Sequence, residues 1–137
     1  MISKKTISEY RGNLMRDISR IPVKIILEGI GKVEGVIKRV SAPLTVEAIL
    51  RALPIEGRAF PCPGGISFGI GLRRGEEKSR RKIEAGTIAY WPMSESICIF
   101  HSPSIHYSPV NVIGNILKNL EKIKQLGSGK KVEIKLL

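Results

Sequence analysis

Two histidines are the side chains of this sequence best suited to metal binding or proton transfer. His101 and His106 flank a predicted loop over residues 101–107 and lie five positions apart. Histidine is a common zinc ligand, but no Asp or Cys lies between these two residues. We therefore expect no metal site. We expect both side chains either to form hydrogen bonds at the mouth of a groove or to lie exposed to solvent.

The two cysteines form no recognisable metal or redox motif. Cys62 and Cys98 are 36 residues apart, so there is no C-x-x-C pair. Cys98 lies in the apolar run 97–100, where a buried free thiol behaves as a small hydrophobic side chain. Cys62 lies between two prolines in a predicted loop. The number of cysteines leaves a disulfide open, but nothing in the sequence indicates secretion.

Two glycine clusters look like nucleotide-binding loops, but their spacing does not fit. Residues 29–35 and 69–75 each place three residues, rather than two, before the last glycine, and neither cluster joins a strand to a helix. The G-x-S-x-G motif of serine hydrolases is absent. We therefore expect no cofactor and no hydrolase triad, and interpret these glycines as turn and bulge residues.

Length and charge narrow the class of protein further. A chain of 137 residues is typical of one domain. No apolar run approaches the ~20 residues that cross a bilayer, so we expect no membrane partner and a cytoplasmic location.

Lysine and arginine total 23 against 12 acidic residues, a formal net charge of +11. This excess is spread over residues 1–20, 73–84 and 118–135, so nucleic-acid binding stays open but is not favoured. Abundant lysine and a single glutamine are typical of thermophilic proteins.

The hydrophobic pattern predicts a β-hairpin followed by a short helix. Val23, Ile25 and Leu27 alternate with other residues, of which Ile26 is the apolar exception, residues 29–31 interrupt the run, and residues 33–40 resume it. This pattern is typical of a hairpin. Residues 43–53 follow helical spacing, begin with a proline that suits a first helical turn, and stop at Pro54.

The rest of the chain predicts further short strands and a second helix. Strands are predicted over residues 66–72, 87–91, 96–100, 110–116 and 132–136, and a short helix after a cap at Asn119. Residues 73–82 are a predicted loop or exposed extension. With seven or eight strands and two short helices, the sequence predicts a mainly β fold, a small closed barrel capped by helices. Residues 1–21 form a predicted N-terminal extension and residues 22–137 the barrel domain.

Four blocks of sequence resemble a small family of archaeal and bacterial cyclophilin-like proteins. They are residues 53–59 (LPIEGRA), 85–92 (AGTIAYWP), 97–100 (ICIF) and 108–114 (SPVNVIG). The resemblance covers residues 22 to 137 and implies an atypical cyclophilin barrel. True cyclophilins isomerise X–Pro bonds with an F-H-R-x-I motif and a Q-x-G-x-D stretch, and this sequence contains neither. The nearest counterpart is the Arg58–Phe60 pair.

The resemblance, together with aromatic and histidine residues near predicted strand ends, indicates a groove that binds a peptide or small ligand. The candidate lining residues are Arg58, Phe60, Phe68, Tyr90, Trp91, Phe100, His101 and Asn111. Arg58 would bind a carbonyl or carboxylate, and the aromatic side chains an apolar group. A weak or atypical prolyl isomerase is the alternative, and a basic nucleic-acid-associated protein the third hypothesis. The sequence leaves the oligomeric state, including a dimer, open.

Overall fold

The computed structural model describes residues 19–137 of the chain. This part contains nine strands and one α-helix, together with short 3-10 turns. The strands are β1 (Arg20–Leu27), β2 (Gly31–Lys38), β3 (Ile55–Cys62), β4 (Gly65–Gly69), β5 (Arg80–Ile83), β6 (Thr87–Trp91), β7 (Ser96–Phe100), β8 (Ser104–Lys118) and β9 (Lys131–Leu136). The helix α1 spans Pro43–Ala52. The mainly β prediction is confirmed. None of the helices in this part is long and apolar enough to span a bilayer.

Eight of the strands close into an antiparallel barrel. Their order is β2-β1-β9-β3-β4-β7-β6-β8, and β8 pairs back with β2. Gly114 lies at this closing seam, where a Cβ atom would stand 2.0 Å from the carbonyl oxygen of Val36. Only glycine therefore lets the two strands approach without a backbone shift. The ninth strand, β5, pairs with β8 alone.

The barrel interior is filled by the apolar side chains that alternate along the strands. In β1, Val23, Ile25 and Leu27 are buried, whereas Lys24 and Ile26 between them are partly exposed. The same alternation continues around the barrel because successive side chains of a strand point to opposite faces. The predicted hairpin of β1 and β2 is present, and its pairing runs from Arg20 with Lys38 to Leu27 with Gly31.

The helix α1 caps one end of the barrel. Its buried residues Thr45, Val46 and Ile49 lie on one face, and Glu47 and Arg51 form an ion pair at 3.5 Å, one helical turn apart. Pro43 lies in the first turn, as predicted. The helix ends one residue earlier than predicted, before Leu53 and a cis-Pro54.

The second predicted helix is a short 3-10 helix over Leu120–Gln125. Asn119 precedes it with a left-handed backbone (φ 68°), but its side chain makes no cap hydrogen bond. Ile123 is buried against the barrel core. The position of this cap was predicted correctly, but the capping interaction was not. Burial of one apolar side chain fixes this turn instead.

Strand β8 is longer than the sequence predicted. The strand predicted over residues 110–116 extends from Ser104 to Lys118, so the predicted loop over 101–107 shrinks to residues 101–103. The reason is β5, because its pairing with β8 extends strand geometry to Ser104. Only part of residues 73–82 remains a loop, since β5 begins at Arg80.

The predicted N-terminal extension over residues 1–21 lies mostly outside the described residues. Only its last residues are described, and there β1 already begins at Arg20.

Candidate functional site

The eight candidate lining residues occupy different sides of the barrel wall. Phe68 and Tyr90 belong to the barrel core, whereas Trp91 and Phe100 pack on the outer side. Tyr90 and Trp91 thus face opposite sides of β6, as the strand prediction requires. Phe68, Tyr90, Phe100 and Asn111 are fully buried, so a ligand on the surface reaches them only if the segments covering them move.

Tyr90 and Asn111 hold a chain segment against the barrel. This segment, residues 70–79, joins β4 to β5 without regular structure and is called the strap here. The Tyr90 hydroxyl donates to the carbonyl of Leu72 and accepts from the amide of Arg74. The Asn111 amide donates to the carbonyl of Gly75 at 2.9 Å and accepts from the amide of Glu77 at 2.9 Å. Two predicted ligand-binding residues are therefore anchors of the protein's own chain.

Glu77 near the end of the strap binds the N-terminus of α1. The Glu77 carboxylate accepts from the amides of Leu44 (3.0 Å) and Thr45 (2.8 Å) and from the Thr45 hydroxyl (2.7 Å). Partial burial raises the pKa of Glu77, but these three hydrogen bonds outweigh it and the net pKa is lowered. Asn111 also donates to the Thr45 hydroxyl oxygen. Strap, helix and barrel therefore form one polar network.

Arg58 and Phe60 are exposed and lie beside a small cavity. Phe60 lines this cavity of about 120 Å³ with residues of β3, β4 and the loop 126–128. The Arg58 guanidinium donates to the carbonyl of Gly129 at 3.1 Å. Arg58 and Phe60 are thus the two predicted residues that the structure brings to one accessible place.

A second apolar cluster covers the outer side of β6 and β7. This outer cluster consists of Ile83, Ala89, Cys98, Phe100 and Val110, with the partly buried Cys62, Trp91 and Val112 against it. Its cover is a two-stranded ribbon made of β5 and residues 104–110 of β8. The Trp91 indole donates to the Ser108 hydroxyl at 2.7 Å, which ties the ribbon to the barrel wall.

His106 projects from this ribbon into the outer cluster. The side chain is fully buried, and neither ring nitrogen has a hydrogen-bond partner among residues 19–137. Its ring meets the rings of Trp91 and Phe100 edge-on, at centroid distances of 4.3 and 5.6 Å. Burial, and secondly the charge of Arg81, lower the pKa of His106, so the imidazole is neutral at pH 7.

His101 lies in the short loop before β8, apart from His106. Its Nδ1 is 2.8 Å from the Ser102 hydroxyl. Burial and the charge of Lys124 lower its pKa. Within the described residues no three His, Cys, Asp or Glu side chains converge where a metal ion could be held.

The two thiols lie within the outer cluster. A hydrogen bond with Cys98 lowers the pKa of Cys62, and the same contact together with burial raises the pKa of Cys98. Cys62 is partly exposed and Cys98 is buried, and both are free thiols. Cys62 is therefore the more reactive of the two, because the thiolate is the nucleophilic form.

A larger cavity lies on the ribbon itself. This ribbon groove has a volume of about 560 Å³ and is lined by Arg80, Lys82, Ile83, Glu84, Pro103, Ser104 and Ile105. None of the eight predicted residues lines it. The sequence signal was the cluster of basic residues after position 72. Because the charge excess is spread over three regions, the sequence favours a solvated surface there.

The barrel, its helical cap and the outer ribbon define a cyclophilin-like architecture. The sequence pattern of the cyclophilin-like family matches residues 21–135, and this chain belongs to that family. It is similar to hypothetical protein AF2241 from Archaeoglobus fulgidus, whose solution structure shares 30% identity and a TM-score of 0.71. That match covers 87% of this chain and 96% of the other.

A more distant structure shares only the fold. McbB, solved in complex with tryptophan, matches with 12% identity and a TM-score of 0.71, over 83% of this chain and 44% of McbB. No curated protein matches this sequence.

Proposed function

We propose that this protein is a binding protein that takes an extended peptide or a small ligand in the ribbon groove. The observation that carries the proposal is the groove's volume of about 560 Å³. Ligand sites typically have ~300–1,000 Å³. The cavity beside Phe60, at about 120 Å³, holds a single side chain at most.

The lining chemistry favours a ligand with both an acidic and an apolar part. Arg80 and Lys82 contribute two exposed positive charges to the lining against the one exposed carboxylate of Glu84, and Pro103 and Ile105 supply exposed apolar surface. Ile105 is 64% exposed, so a ligand could bury it. Arginine also binds carboxylates with two parallel hydrogen bonds. A carboxylate next to an apolar side chain would satisfy both kinds of contact.

The free edge of β5 favours a peptide over a compact ligand. Among the described strands β5 pairs only with β8, so its other edge presents unpaired backbone groups. Extended peptides bind such edges by adding a strand. Basic side chains on an edge also prevent pairing with another copy of the same chain. The same basic side chains would attract an acidic peptide.

An NMR titration of the labelled protein tests this proposal. The probe is an extended peptide of alternating Glu and Val, compared with the same peptide carrying Gln for Glu. We expect the acidic peptide to shift the protein's amide resonances at Arg80, Lys82 and Ile105. The Gln peptide should bind more weakly. Shifts confined to other parts of the barrel, or none with either peptide, would contradict the proposal.

A charge-reversal pair provides the matched control. Lys82→Glu lies in the groove, whereas Lys32→Glu changes the same charge on an exposed lysine of β2. We expect Lys82→Glu to weaken acidic-peptide binding about tenfold, a loss of ~1.4 kcal/mol. Lys32→Glu should leave it almost unchanged. Equal effects of the two variants would indicate attraction by overall charge rather than a site.

Weak prolyl isomerase activity is the second candidate function. It is favoured by the small cavity of about 120 Å³ that Phe60 lines and by Arg58, two residues away on the same strand. A protease-coupled isomerisation assay of wild type and Arg58→Ala tests it. Isomerase activity predicts a rate above the uncatalysed one that Arg58→Ala lowers. Equal rates for both proteins exclude Arg58 as a catalytic residue.

A further inference from the structure

We propose that His106 is a proton-operated latch that holds the ribbon against the barrel only while its imidazole is neutral. The consequence for ligand binding rests on the proposed function, because the ribbon carries the groove. The latch itself does not depend on any ligand. It concerns how the inner side of the ribbon packs on Trp91 and Phe100.

The first argument is the position of the His106 ring. It is fully buried between two aromatic rings, and neither of its nitrogens has a partner within residues 19–137. An unpaired buried polar group costs ~1–3 kcal/mol, and a buried charge costs more unless it is paired. A neutral ring is tolerated there, but an imidazolium has no acceptor to receive its two N–H groups.

The second argument is the charge that surrounds the ring. Arg81 of β5 donates from Nε to the His106 carbonyl oxygen at 2.9 Å, and its positive charge opposes protonation of the ring. From the barrel wall, the titratable groups of the outer cluster are the thiols of Cys98 and Cys62. On the strand of His106 itself, the neighbour is the Tyr107 phenol, with its ring 5.5 Å away. None of these groups is a carboxylate that could pair with an imidazolium.

The third argument is that the ribbon can move without opening the barrel. β5 has four residues and pairs only with β8. Residues 104–110 of β8 precede the part that pairs with β6 and β2, which begins at Asn111. A proton that enters only the lifted state therefore shifts this local equilibrium, because it binds one state more tightly than the other.

The single tryptophan reports this motion directly. Trp91 touches His106 and hydrogen-bonds Ser108, and the sequence contains no other tryptophan. We expect its emission to shift to longer wavelength as the pH falls from 7.5 to 5, without a ligand. His106→Phe keeps an aromatic ring in the cluster but cannot take up a proton, so its emission should stay constant over this range.

The other histidine provides the matched control. His101→Asn removes the second group that titrates in this pH range but lies outside the aromatic contacts of the cluster. Its emission should change with pH as in the wild type. A pH response that persists in His106→Phe, or that disappears in His101→Asn, would overturn the latch.

A measurement on the wild type covers the case in which His106→Phe does not fold. The ring Hε1 resonance of His106 should titrate together with the amide resonances of residues 80–83 and 104–110. Titration of the ring without movement of those amides would contradict the latch.

Binding of the acidic peptide adds the link to function. If the groove is the site, its affinity should be about fivefold lower at pH 5.5 than at pH 7.5, within the usual range of coupling between two sites. His106→Phe should remove that difference. A pH response of Trp91 without peptide binding would support the latch and reject the groove as the binding site. Peptide binding without a pH response of Trp91 would support the groove and reject the latch.

Discussion

The barrel core and the outer cluster are built from similar numbers of aromatic anchors but differ in how their polar groups are satisfied. In the core the Tyr90 hydroxyl both donates a hydrogen bond to the strap backbone and accepts one from it. In the outer cluster the ring nitrogens of His106 have no hydrogen-bond partner among the described residues, and two thiols belong to the same cluster. The core is enclosed by eight paired strands, whereas a ribbon with one free edge covers the outer cluster.

This difference separates stability from function in the molecule. Local opening of the closed barrel costs a high free energy, because each of its strands is hydrogen-bonded to two neighbours. A ribbon that covers a buried, unpaired histidine can be lifted locally at a lower free energy. Segments that bind ligands or switch are drawn from such regions of low local stability. We therefore assign folding to the core, and the proposed binding with its proposed pH control to the ribbon.

Truncation of one phenylalanine in each region should give the largest effects and separate them. Phe68 and Phe100 are both fully buried, the first in the barrel core and the second in the outer cluster. Phe68→Ala should lower the free energy of unfolding by ~3–5 kcal/mol. Phe100→Ala should cost about half as much, because the ribbon can settle into the space. Urea denaturation measures both, and equal losses would mean that the ribbon is as rigid as the barrel.

Removal of the Asn111 amide should give the next largest effect. Asn111→Leu keeps the branched shape of the side chain but leaves Thr45, Gly75 and Glu77 without their shared partner. We expect a loss of ~2 kcal/mol, since unsatisfied buried groups cost ~1–3 kcal/mol. Hydrogen exchange at the Glu77 amide should accelerate as the strap loosens. An unchanged rate there would show that Glu77 alone holds the strap to α1.

Acidification should reduce stability by a smaller amount, and mainly through the outer cluster. The pKa of His106 is lowered from 6.5 in the folded chain, so the unfolded chain takes up the proton first. The free energy of unfolding therefore falls as the pH drops below 6.5. Denaturation at pH 7.5 and 5.5 should show this loss in the wild type and a reduced loss in His106→Phe.

Because burial also lowers the pKa of His101, His101→Asn gives the second arm of this comparison. The imidazole of His101 has a hydroxyl neighbour in Ser102, so we expect the smaller share of the pH effect here. A larger reduction in His101→Asn than in His106→Phe would reverse our assignment.

The smallest effect should come from an exposed ion pair on the strap. Arg73 pairs with Glu95 at 3.0 Å, but its side chain is 89% exposed. Exposed ion pairs contribute ~0–1 kcal/mol, so Arg73→Ala should change the free energy of unfolding by less than ~0.5 kcal/mol. A loss comparable to that of Asn111→Leu would mean that the strap depends on its surface charges.

Sequence patterns predicted the parts of the fold that depend on the spacing of apolar residues and on the prolines and glycines that end strands and helices. The hairpin of β1 and β2, the helix from Pro43 and the opposite facing of Tyr90 and Trp91 follow from local periodicity. The extension of β8 back to Ser104 could not be predicted, because it depends on pairing with β5. Charged strands such as β5 lack the apolar alternation that marks a strand.

The site was harder to predict because chemistry-bearing residue types also serve the structure. The polar Asn111 within an apolar strand predicts a hydrogen bond either to a ligand or to the backbone of a neighbouring loop, and the structure shows the second, because Asn111 binds the strap. A single sequence does not show which distant backbone groups lie opposite a buried amide. In the sequence Arg80 and Lys82 indicate only positive charge, because their groove is formed by the fold of the ribbon.

Amide hydrogen exchange on the wild-type protein tests most directly whether the ribbon opens independently of the barrel. Our account predicts that amides of residues 80–83 and 104–110 exchange through a local opening of lower free energy than those of β1, β7 and β9, and that this gap widens from pH 7 to pH 5.5. Exchange of the ribbon and the barrel with the same free energy at both pH values would contradict it.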